Sequence, residues 1–148
     1  MADRTISANA KRARQLFSAG AFGGHLVAVF VVPLLLLVRG PEAGLSGLVA
    51  ALGVLAFMGL GHWVQVMFAD APPRTLMMAW FASYVIRVGL PLIALVAISA
   101  NAERFAGMDR TAVAITAIAI VVGWLTAEIW MFTRLRIPVF DPPADESQ

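Results

Sequence analysis

Four apolar stretches, each long enough to cross a bilayer when wound as a helix, leave this chain few ways to fold. They run over 17–38, 45–68, 76–100 and 111–133 and take up 94 of its 148 residues. A membrane-crossing helix needs about 20 mostly apolar residues. The first two stretches carry no formal charge, the third only Arg87 and the fourth only Glu128. None alternates apolar and polar residues as a membrane β-strand does. They therefore read as helices, whose backbone groups satisfy one another within the segment. The links are short, which sets successive helices antiparallel. The expected fold is all-α: a polytopic membrane protein built as a four-transmembrane-helix up-down bundle.

Composition agrees. Hydrophobic residues make up 60% of the chain and charged residues 14%, with a mean hydropathy of +0.82. Soluble domains are nearer 45–50% apolar and about 25% charged, so a soluble enzyme and a disordered chain are excluded. The net charge is only +2, with no basic patch broad enough to hold a phosphate backbone, so no nucleic-acid partner is expected. There is no Cys, and two His do not make a metal site by themselves. No metal and no cofactor are expected.

The chain divides into a basic lead (1–16), the four-helix domain (17–133) and a tail (134–148). Arg39-Gly40-Pro41-Glu42, Asp70-Ala71-Pro72-Pro73-Arg74 and Asn101-Ala102-Glu103-Arg104 break the spans, and Asp109 is placed to cap the fourth. The tail, with its Pro-rich start and acidic end, is expected to be extended and then disordered. Positive charge orients the bundle. Arg4, Lys11, Arg12, Arg14, Arg74, Arg134 and Arg136 fall on one side, against Arg39, Arg104 and Arg110 on the other. Both termini are therefore expected in the cytoplasm. The first span is too long for a signal peptide and no small-residue cleavage site follows it, so it is read as retained. Lys11, Arg12 and Arg14 can also lie on anionic lipid.

Polar residues at membrane depth carry the functional information. Arg87 lies near the middle of the third span, where an Arg costs about 2.5–3.5 kcal/mol even on a lenient scale, so it should face the bundle interior and have a partner. Glu128 is the one acidic residue inside a span. At 1.5 Å rise per residue the two differ in depth by roughly 9 Å, and each leans toward the other along its helix. A pair, direct or through a water, is feasible. His62 and Gln65 share a face of the second span, Ser83 lies one turn below Arg87, Tyr84 lies beside it and Thr126 is near Glu128. Together they form a candidate polar layer for contact with a partner or an ion. The plainer reading is that these groups fix helix register, as interhelical polar contacts do at roughly 0.6–2 kcal/mol each. No nucleophile–base arrangement is visible, so no catalytic residue is assigned.

The remaining features have structural readings. His25 reads as an interhelical hydrogen-bonding residue rather than a proton relay. Pro33 and Pro91 are expected to kink their helices. Gly20 and Gly24, and the stripe of Ala119, Gly123 and Ala127, allow close helix approach, within the bundle or in a homo-oligomer. Trp63, Trp80, Trp124 and Trp130 read as interfacial anchors, and Met67, Met77 and Met78 as packing.

Four spans with both termini inside, Tyr84-x-x-Arg87 in the third span and a last span running into Thr133-Arg-Leu-Arg-Ile-Pro-Val-Phe-Asp141 resemble the bacterial ATP synthase protein I family. The resemblance covers residues 15–141. In place of the Asn-bearing polar motif that is frequent in the family's second span, this chain has His62-Trp-Val-Gln65. The resemblance implies a non-catalytic accessory protein of the bacterial inner membrane. It would assist assembly or stability of the c-ring of the ATP synthase membrane sector, or Mg²⁺ supply, with the c subunit as partner. Arg87 would then offer a temporary counter-charge to a mid-membrane carboxylate of that subunit.

Two other classes compete. A small oligomeric transporter or channel would use the Arg87/Glu128 layer, although four-span multidrug transporters typically carry their working Glu in the first span, which here has none. A lipid-modifying enzyme would need converging acids or metal ligands, whereas Asp70, Glu103 and Asp109 are divided between the two sides of the membrane.

Overall fold

In the computed structural model, which describes residues 7–135, the chain forms four helices: α1 (Ala8–Arg39), α2 (Pro41–Met67), α3 (Pro73–Ala100) and α4 (Arg110–Arg134). All four are long and apolar enough to span a bilayer, which makes this an integral, multi-pass membrane architecture. Most of the tail lies outside the described residues, as do Arg4 and Arg136.

The helices start earlier than the apolar stretches because capping, not hydropathy, decides where a helix begins. α1 takes in half of the basic lead. Ser7 caps it, accepting from the Ala10 N–H at 3.1 Å, and Ser7 Oγ also donates to Asp70 in the α2–α3 turn. Asp109 caps α4 as expected, accepting from the Ala112 N–H at 3.0 Å. α1 and α2 are joined by a single residue, Gly40. Its N–H closes α1 onto Leu36 O and its carbonyl opens α2 by accepting from Gly44. Gly40 sits at φ 93°, ψ −178°, a region essentially restricted to glycine. Pro41 follows at the first helical position, where its missing N–H is no loss. α1 and α3 run unbroken through Pro33 and Pro91.

Packing is not a symmetric square. α1, α2 and α4 pack pairwise against one another as a three-helix core. Among the described residues α3 packs on α2 alone, although only the 101–109 segment separates it from α4. The short link makes α3 and α4 antiparallel without making them neighbours.

Small residues fill the contacts, as expected where lipid is as apolar as a leucine face. Gly20, Gly23 and Gly24 of α1 are buried against α4. A β-carbon added at Gly23 would lie 2.5 Å from Ala127 Cβ and 2.6 Å from the Gly123 carbonyl, and one at Gly20 would meet the Trp124 indole. The small-residue motifs thus serve contacts inside the chain. Many larger side chains, including Phe22, Phe30, Leu37, Phe81, Ile93 and Ile118, face outward, where lipid would cover them. At the Gly40 end, Arg39 Nη2 meets Asp109 Oδ2 at 2.9 Å and Ser46 Oγ accepts from the Asp109 N–H at 3.0 Å. This clamp ties the end of α1 and the start of α2 to the start of α4.

Candidate functional site

The site begins at a small residue. Gly61 of α2 has no side chain, and Arg87 of α3 lies flat in the space. A β-carbon there would overlap Arg87 Nε and come within 2.7 Å of its Cγ. One turn earlier on α3, buried Ser83 donates to the Gly61 carbonyl at 2.8 Å. These two contacts seat α3 on α2 and bring the Arg87 guanidinium beside His62.

His62 joins the two charged residues expected to pair. Its Nε2 is 2.7 Å from Glu128 Oε1 on α4, and its Nδ1 is 2.9 Å from Arg87 Nη2. Arg87 can only donate, so Nδ1 accepts, and the ring proton sits on Nε2 and is given to the carboxylate. These two bonds select the Nε2–H tautomer, whereas the Met58 carbonyl, 3.1 Å from the same Nδ1, calls for a hydrogen there. Arg87 and Glu128 are therefore linked through an imidazole, and no direct ion pair joins them among the described residues. The row Arg87–His62–Glu128 runs from α3 across α2 to α4.

The ring is held tightly. Its side chain is 4% exposed. Phe17 of α1 stacks on it with centroids 6.2 Å apart, and Trp124 of α4 tilts against it at 5.2 Å. Trp124 is 1% exposed. This corrects its reading as an interfacial anchor: the bulk of the indole fills the space left by Gly20 and Gly24. Trp63, Trp80 and Trp130 are 54–60% exposed, as residues facing lipid or the interface would be.

The other expected members separate. Ser83 belongs to the site. Gln65 lines a recess of about 370 Å³ together with His62 and Glu128, which is also bounded by Asn9, Arg12 and Trp80. That recess lies toward the end of the bundle that holds Ser7 and Asp70, and Glu128, 24% exposed, meets it. Tyr84 does not join the layer. It is 64% exposed on the outer face of α3, because one residue along a helix turns a side chain by about 100° away from Ser83. Thr126 is exposed too. His25 is likewise exposed, with Nδ1 2.7 Å from the Ala21 carbonyl of its own helix. Among the described residues its hydrogen bond lies within α1 and not between helices.

Neither a protein-family model nor a curated protein nor a solved structure matches this chain. The site must be read from its own chemistry. It holds one guanidinium, one imidazole and one carboxylate, which suits proton exchange or recognition of a charged group at membrane depth. Among the described residues no three His, Asp or Glu side chains gather as a metal site would require.

Gly61 is the site residue that reasoning from sequence passed over. The signal was present in Gly59-Leu-Gly61-His62, a glycine next to a buried polar residue, but glycine is common enough in membrane helices to hide it. The Asp109 clamp was half visible. The cap could be read locally, and the Arg39 partner, 70 residues away, could not.

Proposed function

We propose that this chain is a non-catalytic accessory protein of a membrane complex, in line with its resemblance to ATP synthase protein I. It would sit in the bacterial inner membrane with both termini in the cytoplasm and assist assembly or stability of the ATP synthase membrane sector, with the c subunit as client. The observation that carries this reading is the placement of α3. Among the described residues it rests on α2 alone, stands apart from α4 and carries Arg87 at the edge of the polar row. Near the Gly40 end the separation opens as a groove of about 410 Å³, lined largely by apolar residues such as Ile98, Phe105 and Val113. A helix of a client subunit could lie along such an edge, with a carboxylate at membrane depth drawn to the guanidinium.

The test is a mild-detergent pull-down of tagged protein from native membranes, read by mass spectrometry. Enrichment of ATP synthase membrane subunits, c above all, is the expected result, and Arg87→Ala should reduce it. Equal c-ring assembly in wild-type and Arg87→Ala cells would count against the role of Arg87. Recovery of the chain only with itself would count against the accessory role.

The recess that meets Glu128 and His62 favours a second reading, a small oligomeric transporter or channel that uses this polar layer. Ion or proton flux by the purified protein alone in liposomes would select it over the first.

A further inference from the structure

The His62 Nδ1 atom has two neighbours that want opposite things from it. Arg87 Nη2, at 2.9 Å, needs an acceptor, and the Met58 carbonyl, at 3.1 Å, needs a donor. A ring nitrogen is one or the other at any moment. In the state assigned above, Nδ1 is bare and accepts from Arg87. Adding one proton to the His62–Glu128 couple reverses this, wherever along the 2.7 Å bond that proton comes to rest. If the couple becomes imidazolium and carboxylate, both ring nitrogens carry hydrogen. If Glu128 becomes the neutral acid and donates to Nε2, the ring hydrogen moves to Nδ1. In either form Nδ1–H donates to Met58 O, and Arg87 loses its acceptor.

We propose that the His62–Glu128 couple is a proton-binding site, and that its occupancy decides whether Arg87 ties α3 to the three-helix core. The ligand is a single proton taken from water in the recess that meets Glu128, and no covalent bond other than N–H or O–H is made or broken. The charged and polar groups around the couple favour a discrete switch. Arg87 faces it from α3, Glu128 from α4, and Arg12 of α1 and Gln65 of α2 line the same recess. Phe17 and Trp124 pack on the ring. With the couple unprotonated, Arg87 and Glu128 cancel. With the proton bound, the row carries a net positive charge in a medium that penalises it, and Arg87 is the member free to withdraw, since α3 packs on α2 alone. The Ser83–Gly61 bond of α3 to α2 remains and the Arg87–His62 bond goes. The inference concerns the protein's own equilibrium, and it holds for either function proposed above.

The experiment uses the full chain in lipid nanodiscs. The absence of Cys lets two spin labels be placed without background, at Leu52→Cys on α2 and Ile93→Cys on α3. Both residues face outward. Label–label distances are measured from about pH 8 to about pH 5, the range over which histidine sites commonly titrate. In parallel, ¹⁵N-histidine NMR of a His25→Gln background reports which nitrogen of His62 carries hydrogen. The expected result is Nε2–H alone at high pH, hydrogen on Nδ1 at low pH, and a lengthened, broadened distance distribution that follows Nδ1 with a one-proton slope. Glu128→Gln, which removes the carboxylate that holds the added proton on the couple, should shift the coupled change out of this pH range while circular dichroism shows the helices intact. Hydrogen on Nδ1 throughout, a bare Nδ1 throughout, or protonation of Nδ1 with an unchanged distance would each overturn the proposal. If Glu128→Gln fails to fold, the wild-type titration alone still decides between these outcomes.

Discussion

Replacing Gly23 with alanine tests the central packing claim with a single methyl group. The added carbon would lie 2.6 Å from the Gly123 carbonyl oxygen, against about 3.4 Å for an ordinary contact. The obstacle is backbone, so no rotamer change relieves it, and α1 and α4 must separate by about 0.8 Å locally. A gap of that size forfeits roughly a quarter to a half of each contact's well of about 0.1–0.2 kcal/mol. At the contact density of a buried side chain, a seam such as that around Gly20, Gly23, Gly24, Trp124 and Ala127 corresponds to roughly 30 atom pairs. The expected loss is then about 1–2 kcal/mol, within the usual range for overpacking. The intrinsic gain of alanine over glycine in a helix, roughly 0.5–1 kcal/mol, offsets part of it. Gly59→Ala supplies the reference, because a β-carbon there meets nothing within 4 Å and should leave only the intrinsic gain. The assay is reversible unfolding in mixed micelles, followed by helicity and Trp fluorescence. Equal stability of Gly23→Ala and Gly59→Ala would refute the close approach of α1 and α4.

The other substitutions probe separate parts of the fold. Trp124→Ala empties the largest buried side chain and should cost about 3–5 kcal/mol, whereas Trp63→Ala, on an exposed residue, should cost far less in the same unfolding assay. Gly40→Ala forces a β-carbon into a conformation that costs about 1–3 kcal/mol, although nothing lies within 4 Å to clash with it, so thermal unfolding should show a loss without any change in the packing of α1 on α2. The Asp109 carboxyl is held below its ordinary value, first by the Ala112 N–H, against the opposing effect of burial, and then by Arg39. Its contribution to stability is therefore full above the ordinary Asp value of about 3.9 and is lost as pH falls through the depressed one. Asp109→Asn should remove that part of the acid sensitivity, read as a smaller drop in melting temperature between neutral pH and about pH 3.

Hydropathy and local chemistry together account for what could be read without a structure. The four spans, the cap at Asp109, the break at Gly40-Pro41 and the need for Arg87 to find polar company follow from interactions within one helix or between one residue and lipid. The Arg87–Glu128 link was reachable by counting residues along two antiparallel helices. The residue between them was not, because His62 Nδ1 and Nε2 point to different helices and that depends on how α2 is rotated. Tyr84 shows the limit from the other side. It is one residue from Ser83 and close to Arg87 in sequence, yet it faces outward.

The amino-acid sequence by itself determined that this chain carries four helices able to cross a membrane, where the spans are interrupted and that Asp109 caps the fourth, and that a cation and a carboxylate lie within the spans. Those are properties of single segments, set by the cost of moving each residue between water and hydrocarbon. Only the tertiary structure decided that α3 leans on α2 and not on α4, that Trp124 fills the interior, that Gly61 makes room for Arg87 and that His62 stands between the two charges. In hydrocarbon a leucine gains as little from facing lipid as from facing protein, so apolarity does not choose helix neighbours. Shape and a few polar contacts choose them, and these exist only once the helices are packed.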